Sequence, residues 1–368
     1  MKEKYDYLIV GAGLAGATFA AIQKKRNKKC LVIDKRKNVG GNIYTKKMAG
    51  IDVHWYGAHI FHTSNKMVWD FVNQFAEFDP FINSPIANYK NQLFSLPFNM
   101  YTFNQLWGIT KPKQAKKIIE RQIRESGIDE PTNLEEQAIK MVGTDIYQMF
   151  IEGYTEKQWG RKCSELSPDI IKRIPVRYTY NNNYFNDKYQ GIPHDGYTHM
   201  IGNMLDGIEV RLGVNFDNEL LNSIEYGKII YTGMIDEYYD YCLGHLNYRS
   251  LKFKHVVLKQ PNYQGNAVVN YTDKDVPYTR IIEHKHFKEY DNSNVTVISR
   301  EFPNVYTGRN IPFYPVNSEE DQKLYNQYKE KAANDKDIIF CGRLGTYKYL
   351  NMDQVVAQIF DLLKVKEI

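Results

Sequence analysis

No apolar run in this chain comes near the about 18 residues that a membrane-spanning helix needs, so none is predicted. The four cysteines, at 30, 163, 242 and 341, have no paired spacing, which argues against a disulfide framework or a zinc site. There is no basic block interleaved with aromatics and no nucleic-acid motif, so nucleic acid is not an expected partner. Charge of one sign is also scarce: 48 Lys and Arg against 43 Asp and Glu give +5, a weak leaning toward small anionic ligands. A Walker A loop, a Gly-x-Ser-x-Gly elbow and a catalytic-cysteine signature are all missing. So are internal repeats and low-complexity linkers. A strand pattern begins almost at once, leaving no room for a secretory leader, and a soluble cytoplasmic protein is expected.

Aromatic side chains are plentiful, with 29 Tyr, 18 Phe and 4 Trp in 368 residues. The most informative segment is DYLIVGAGLAG at 6–16, an apolar run feeding Gly11-x-Gly13-x-x-Gly16 and then a helix-like stretch to Lys25. The three glycines suit a tight turn, close approach to a pyrophosphate and close helix–strand packing. The helix start offers free N–H groups to that anion. A second strand at 30–33 ends in Asp34, an acceptor for a ribose diol at the expected distance. An adenine dinucleotide is therefore expected. The following segment, with Lys35 and the pair Gly40-Gly41 before Asn42, resembles the flavoproteins related to glutathione reductase and amine oxidases. That resemblance implies FAD. A late strand at 338–343 and the helical stretch 352–363 fit a chain returning to the dinucleotide domain, with the last helix start aimed at the flavin.

The length predicts two or three domains, and the pattern predicts that they interleave. A dinucleotide-binding domain is assigned to 1–80, 205–240 and 318–368. A helical insertion takes 101–192, with a Tyr- and Asn-rich loop at 172–192. An antiparallel sheet takes 81–100, 193–204 and 241–317. The fold class is thus α/β, a Rossmann-like domain with a helical-bundle insertion and an antiparallel β-sheet domain. Ser64 is expected to cap a helix burying Val68, Phe71, Val72 and Phe75. Thr132-x-x-Glu135 reads as a capping box before Leu134, Ala138, Met141 and Val142. Strands are expected at 208–212, 229–232, 267–271, 279–283 and 295–299, and a hairpin near 93–96.

Candidate chemistry lies where arginines meet aromatics. Phe150 and Tyr154 share a face at helical spacing, near Thr155 and Trp159. Such a face either packs into a core or lines a site. Arg173, in a loop with Tyr178, Tyr180 and Tyr184, is either solvated or a clamp for phosphate. Arg280, in mid-strand, is either a surface residue or a cation facing a pocket. His59 and His62 lack a third ligand nearby and do not make a metal site.

The chain resembles the bacterial UDP-galactopyranose mutases over essentially its full length. The residues that carry this are VGGN at 39–42, YGAHIFHT at 56–63, FSLPFN at 94–99, GYTEKQWG at 153–160 and KRIPVRYTYNNNYF at 172–185. They continue with YQGIP at 189–193, GYT at 196–198, YQGNAVVNYTD at 263–273, VPYTRIIEHKHF at 276–287, IPFYPV at 311–316 and GRLGTYKYLNMD at 342–353.

The resemblance implies an isomerase that interconverts UDP-galactopyranose and UDP-galactofuranose without net redox change. Reduced FAD is the nucleophile, through N5, at the sugar anomeric carbon. It implies catalytic roles for Arg173, Arg280 and His62. Substrate contacts are implied for Asn83, Phe150, Tyr154, Thr155, Trp159, Tyr184, Asn270, Tyr314 and Tyr349. Cofactor contacts are implied for Gly11, Gly13, Gly16, Asp34, Lys35, Gly41, Asn42, His59, Arg343, Leu350 and Met352. An external reductant and a homodimer are expected, with the product feeding cell-surface polysaccharide. Two departures stand out: Asn351 where the family often has Asp, and Ile151 where it often has a second aromatic. UDP-N-acetylgalactosamine as a second substrate stays open. An amine-oxidase-type oxidase, or a nucleotide-sugar binding protein without turnover, are the alternatives; the first gives no role to Arg173 and Arg280.

Overall fold

The computed structural model describes residues 2–172, 174–288 and 294–366. Two sheets organise it. The first is parallel, in the order Glu209–Leu212, Cys30–Asp34, Glu3–Val10, Ile224–Tyr231, Ile338–Phe340. Its central strands are apolar on both faces: Leu8, Ile9, Leu31, Val32 and Ile230 are wholly buried. The helix Leu14–Lys25 is rich in alanine on its buried side, which lets it sit close against the helices Gly196–Leu205 and Met352–Leu363. The last strand and last helix do return to the first unit, as the sequence pattern predicts.

The second sheet has seven strands, in the order Tyr314–Pro315, Tyr248–Leu258, Thr296–Val305, Arg280–Glu283, Val268–Tyr271, Ile86–Tyr89, Gln92–Ser95. All neighbours are antiparallel except Val268–Tyr271 with Ile86–Tyr89. Strand register sets which polar residues meet. Arg280 stands opposite Asn270 on one side and Glu301 on the other, and Arg249 stands opposite Tyr314. The sequence reading missed Tyr248–Leu258, because its outer half alternates Lys and His with apolar residues and looks like surface chain. It is nonetheless the longest strand, paired over ten residues with Thr296–Val305.

Between the sheet strands the chain inserts the helices Met100–Trp107, Pro112–Ser126, Leu134–Val142 and Gly153–Trp159, the last preceded by a π-helical turn at Tyr147–Glu152. Gly153 sits where a Cβ would lie 2.4 Å from the Thr272 carbonyl, so this helix can rest directly on the loop between two sheet strands. Two helix starts differ from expectation by one residue. Asn65, not Ser64, caps Lys66–Val72, accepting from the N–H groups of Met67 and Val68; Ser64 donates instead to Asp187. Asn133, not Thr132, caps Leu134–Val142 by accepting from Glu136 N–H, and Thr132 binds the Glu136 carboxylate. In both, an Asn beside the hydroxyl residue reaches the first free N–H groups at least as well.

Candidate active site

The carboxyl ends of the parallel strands open into a cavity of about 990 Å³. Gly11, Gly13, Asp34, Lys35, Gly41, Asn42, His59, Arg343, Leu350 and Met352 all line it. Gly16 lies below the wall, where a Cβ would come within 2.0 Å of the Gly11 carbonyl oxygen. A Cβ on Gly41 would lie 3.0 Å from the Gly13 Cα, so the two glycine turns touch through bare backbone. The Asp34 carboxylate is held by the N–H groups of Ala12 and Arg36, both at 2.8 Å. Arg36 in turn donates to Asn42 at 3.0 Å, tying the acid to the glycine pair. Bare glycine backbone, a fixed acid and the start of Met352–Leu363 at one cavity fit a dinucleotide. His59 Nε2 lies 2.7 Å from the Asn42 carbonyl, which can only accept, so that nitrogen carries the proton. Burial, against the pull of that bond and with help from Arg343 and Arg280, drives His59 down to about 4, so the ring is neutral at pH 7.

A second group of side chains gathers beside His59. Arg280 donates from Nη2 to the Tyr154 hydroxyl at 3.0 Å, and its Nε stands 3.1 Å from Glu301 Oε1 as an ion pair without hydrogen-bond alignment. Burial pulls Arg280 down, but Glu301 and the hydroxyls of Tyr154, Tyr349 and Tyr314 outweigh it and fix the charge. Burial takes Tyr154 up to about 12, so it stays a neutral phenol despite the cation. Tyr314 packs edge-on against Trp159 and Tyr349, each at 5.7 Å, and receives a hydrogen bond from Gln158. Arg343 joins the two regions. It donates to the carbonyls of Phe313 and Leu350, and its guanidinium lies 4.8 Å from the Tyr349 ring centre. Asn270 has a buried side-chain oxygen with no partner among the described residues, one strand away from Arg280. This is an orphaned acceptor at a place where a ligand hydroxyl would satisfy it.

Tyr184 N–H donates to the Asn83 carbonyl at 2.8 Å, which brings those two together. Thr155 is buried. Phe150 sits in the helical core against Phe94 and Phe98, only 4% exposed. His62 stacks on Phe185 at 3.7 Å and bonds Asp187 at 2.6 Å. Arg173 lies outside the described residues. Among the described residues no group of three or more His, Cys, Asp or Glu could hold a metal.

Three residues escaped the sequence reading. Glu301 is 3% exposed and orients Arg280. It lies two residues beyond the strand expected at 295–299, and only the strand register reveals the arginine opposite. Asp187 ties His62 and Ser64 to the Tyr-rich loop. Lys157 donates to three carbonyls, those of Tyr271, Val276 and Tyr278, and so fastens the Tyr154 helix to the hairpin bearing Arg280. No local motif announces either one.

A family model described as UDP-galactopyranose mutase matches residues 149–349, and one for an NAD(P)-binding Rossmann-like domain matches residues 9–75. The chain belongs to the UDP-galactopyranose mutase family. It is an isomerase of that family, with FAD as its cofactor. It is 42% identical over 363 residues to a dTDP-fucopyranose mutase from Escherichia coli, covering 96% of each chain. It is 41% identical over 358 residues to a probable UDP-galactopyranose mutase from Klebsiella pneumoniae, covering 96% of this chain and 92% of that one. A crystal structure of reduced UDP-galactopyranose mutase superposes with a TM-score of 0.75 at 14% identity, covering 98% and 96%. A putative protoporphyrinogen oxidase from Exiguobacterium reaches 0.67 at 12%. These two likenesses speak to the fold alone. No described helix is long and apolar enough to cross a membrane.

Proposed function

We propose that the chain interconverts UDP-galactopyranose and UDP-galactofuranose in the cleft between the dinucleotide cavity and the seven-stranded sheet. The observation that carries this reading is the Arg280 cluster, whose charge is felt by His59 on the cavity wall. Arg280 is charged, pre-aligned by Glu301 and Tyr154, and ringed by Tyr314, Tyr349 and Asn270. Breaking the bond from a sugar to UDP gathers negative charge on the departing diphosphate. A fixed guanidinium fork stabilises that charge without rearranging as it forms. Reduced flavin, when bound, supplies a nucleophilic N5 and returns unchanged in redox state.

The chain's own residues do the rest. Arg343 positions Tyr349 and joins it to the cofactor wall. Neutral His59 donates from Nε2 and cannot add a positive charge beside the flavin. The helix Met352–Leu363 brings a positive dipole end to the cavity, which favours an anionic, reduced cofactor. Arg173 is assigned the part of a second clamp that acts once substrate has entered. His62, held by Asp187, is assigned to the flavin side. Tyr154, Thr155, Trp159 and Phe150 are assigned to the uridine side, Tyr184 to the diphosphate, and Asn83, joined to Tyr184, to a further substrate contact. An oxidase would leave the Arg280 cluster without a task. An external reductant, a homodimer and a cytoplasmic location complete the reading.

The E. coli relative's name favours one second reading, a dTDP-fucopyranose substrate. That nucleotide lacks the ribose 2′-hydroxyl, carries a thymine methyl and has no hydroxyl at sugar carbon 6. Competing the two sugar nucleotides on the dithionite-reduced enzyme decides between them. The proposal expects kcat/KM for the UDP sugar to be at least tenfold higher; a preference for the dTDP sugar reassigns the substrate within the same mechanism.

A further inference from the structure

A second cavity, of about 690 Å³, shares Trp159 with the substrate cleft but none of its other residues, and none with the dinucleotide cavity. Three arginines line it: Arg161 and Arg309, both exposed, and Arg249, only 8% exposed. Arg249 donates from Nε to the Gln158 carbonyl at 2.9 Å. Its two terminal nitrogens have no hydrogen bond or ion pair among the described residues, and Arg161 and Arg309 have no ion pair either. Gly160 leaves the Arg249 guanidinium uncovered, since a Cβ there would lie 3.0 Å from Nη1. The one acid on the wall, Asp236, is spent inside the protein: it accepts from Leu246 N–H at 2.9 Å and from the Tyr248 hydroxyl at 3.2 Å, and is 1% exposed. Tyr241 and His245 rings, 4.1 Å apart, and Tyr306 complete an aromatic rim.

A guanidinium on a largely buried side chain, with only its terminal nitrogens facing a cavity and no counter-charge beside it, is costly, and a neighbouring cation makes it more so. Burial does lower the affinity of Arg249 for its proton; Tyr314 opposes it, and Arg161 adds a smaller push in the same direction as burial. An incoming anion would reverse that imbalance. Phosphate oxygens match the fork geometry of a guanidinium, three arginines share this lining, and the volume accommodates more than one phosphate group.

We propose that this cavity is a second anion site, which binds a diphosphate-bearing ligand independently of the sugar-nucleotide cleft. The test is calorimetric titration of the FAD-loaded, oxidised, full-length protein with inorganic pyrophosphate, in saturating UDP. One further site per chain is expected. Affinity should fall at least tenfold in an Arg161→Ala/Arg309→Ala double variant, whose exposed side chains leave the fold intact, and likewise in Arg249→Gln. Absence of pyrophosphate binding with UDP bound, or unchanged binding in the double variant, overturns the proposal. Failure of the substrate reading would look different: the parent protein would not bind UDP, while pyrophosphate binding would still depend on Arg161 and Arg309.

Discussion

Arg280→Ala should damage the protein in two separable ways, and the structure says how to part them. The substitution removes the ion-pair partner of Glu301, which is 3% exposed, and one hydrogen-bond partner of Tyr154. Stripping one member from a fully buried pair costs about 3–5 kcal/mol, because the other charge is left in a poor dielectric. The Arg280 side chain is a quarter exposed, so water can reach the vacated space, and the low end, about 3 kcal/mol, applies. The catalytic loss has another origin, the missing fork at the departing diphosphate. By analogy with removal of an oxyanion donor it should lower kcat by about 10²-fold or more. Adding Glu301→Gln removes the stranded charge. The double variant should recover most of the lost stability, yet none of the lost kcat. Urea unfolding of the FAD-loaded proteins and steady-state kinetics read the two quantities independently. If Arg280→Ala is as stable as the parent, or if the double variant regains its turnover, the assignment of separate structural and catalytic roles is wrong.

Other consequences concern the cofactor, pH and thiols. Asp34→Ala should weaken FAD retention by roughly 1–3 kcal/mol, the worth of a hydrogen bond to a charged group, in equilibrium dialysis of the apoprotein; parent-like retention would refute the ribose contact. Burial holds His59 and His255 near 4 and His284 near 3, against 6.5 for an ordinary histidine. The unfolded chain therefore takes up protons near pH 6.5 that the folded chain refuses until about pH 4 or lower. Stability should be full above pH 6.5 and fall steadily from there toward pH 4, seen as a declining urea midpoint; a flat midpoint over that range contradicts the neutral histidines. Cys30, Cys163 and Cys341 are buried with thiols pushed up to about 12, while Cys242 is exposed. A thiol-reactive dye should label one cysteine in the native protein and four after denaturation, and faster native labelling of a second would show the core more open than described.

The legible parts of the fold were those written in short-range pattern. The strand–glycine–helix unit at 3–25 and the closing helix Met352–Leu363 follow from apolar runs and punctuation that sit within one element. Helix starts slipped by one residue where Asn competed with Ser or Thr for the cap, a choice that depends on which neighbour has another partner: Ser64 has Asp187, and Thr132 has Glu136. The strand Tyr248–Leu258 was illegible because its polar side chains face solvent along much of an otherwise regular ladder. At the site, the glycines and Asp34 could be read because a phosphate and a ribose demand them at fixed spacing. Arg280 could be noticed but not interpreted. Its meaning depends on Glu301, 21 positions away in sequence but opposite in register, and on Tyr154 from another element. Lys157 shows the limit most clearly, since its partners are three backbone carbonyls, which leave no trace in side-chain identity.

The central claim is that reduced flavin and the Arg280 cluster together rearrange a nucleotide sugar without consuming electrons. The direct measurement is an anaerobic incubation of the dithionite-reduced protein with UDP-galactofuranose, with the products resolved by chromatography and the flavin spectrum recorded throughout. The account predicts many turnovers to UDP-galactopyranose while the flavin remains reduced, and almost none with the oxidised protein. No conversion, or oxidation of one flavin for each sugar converted, would contradict it.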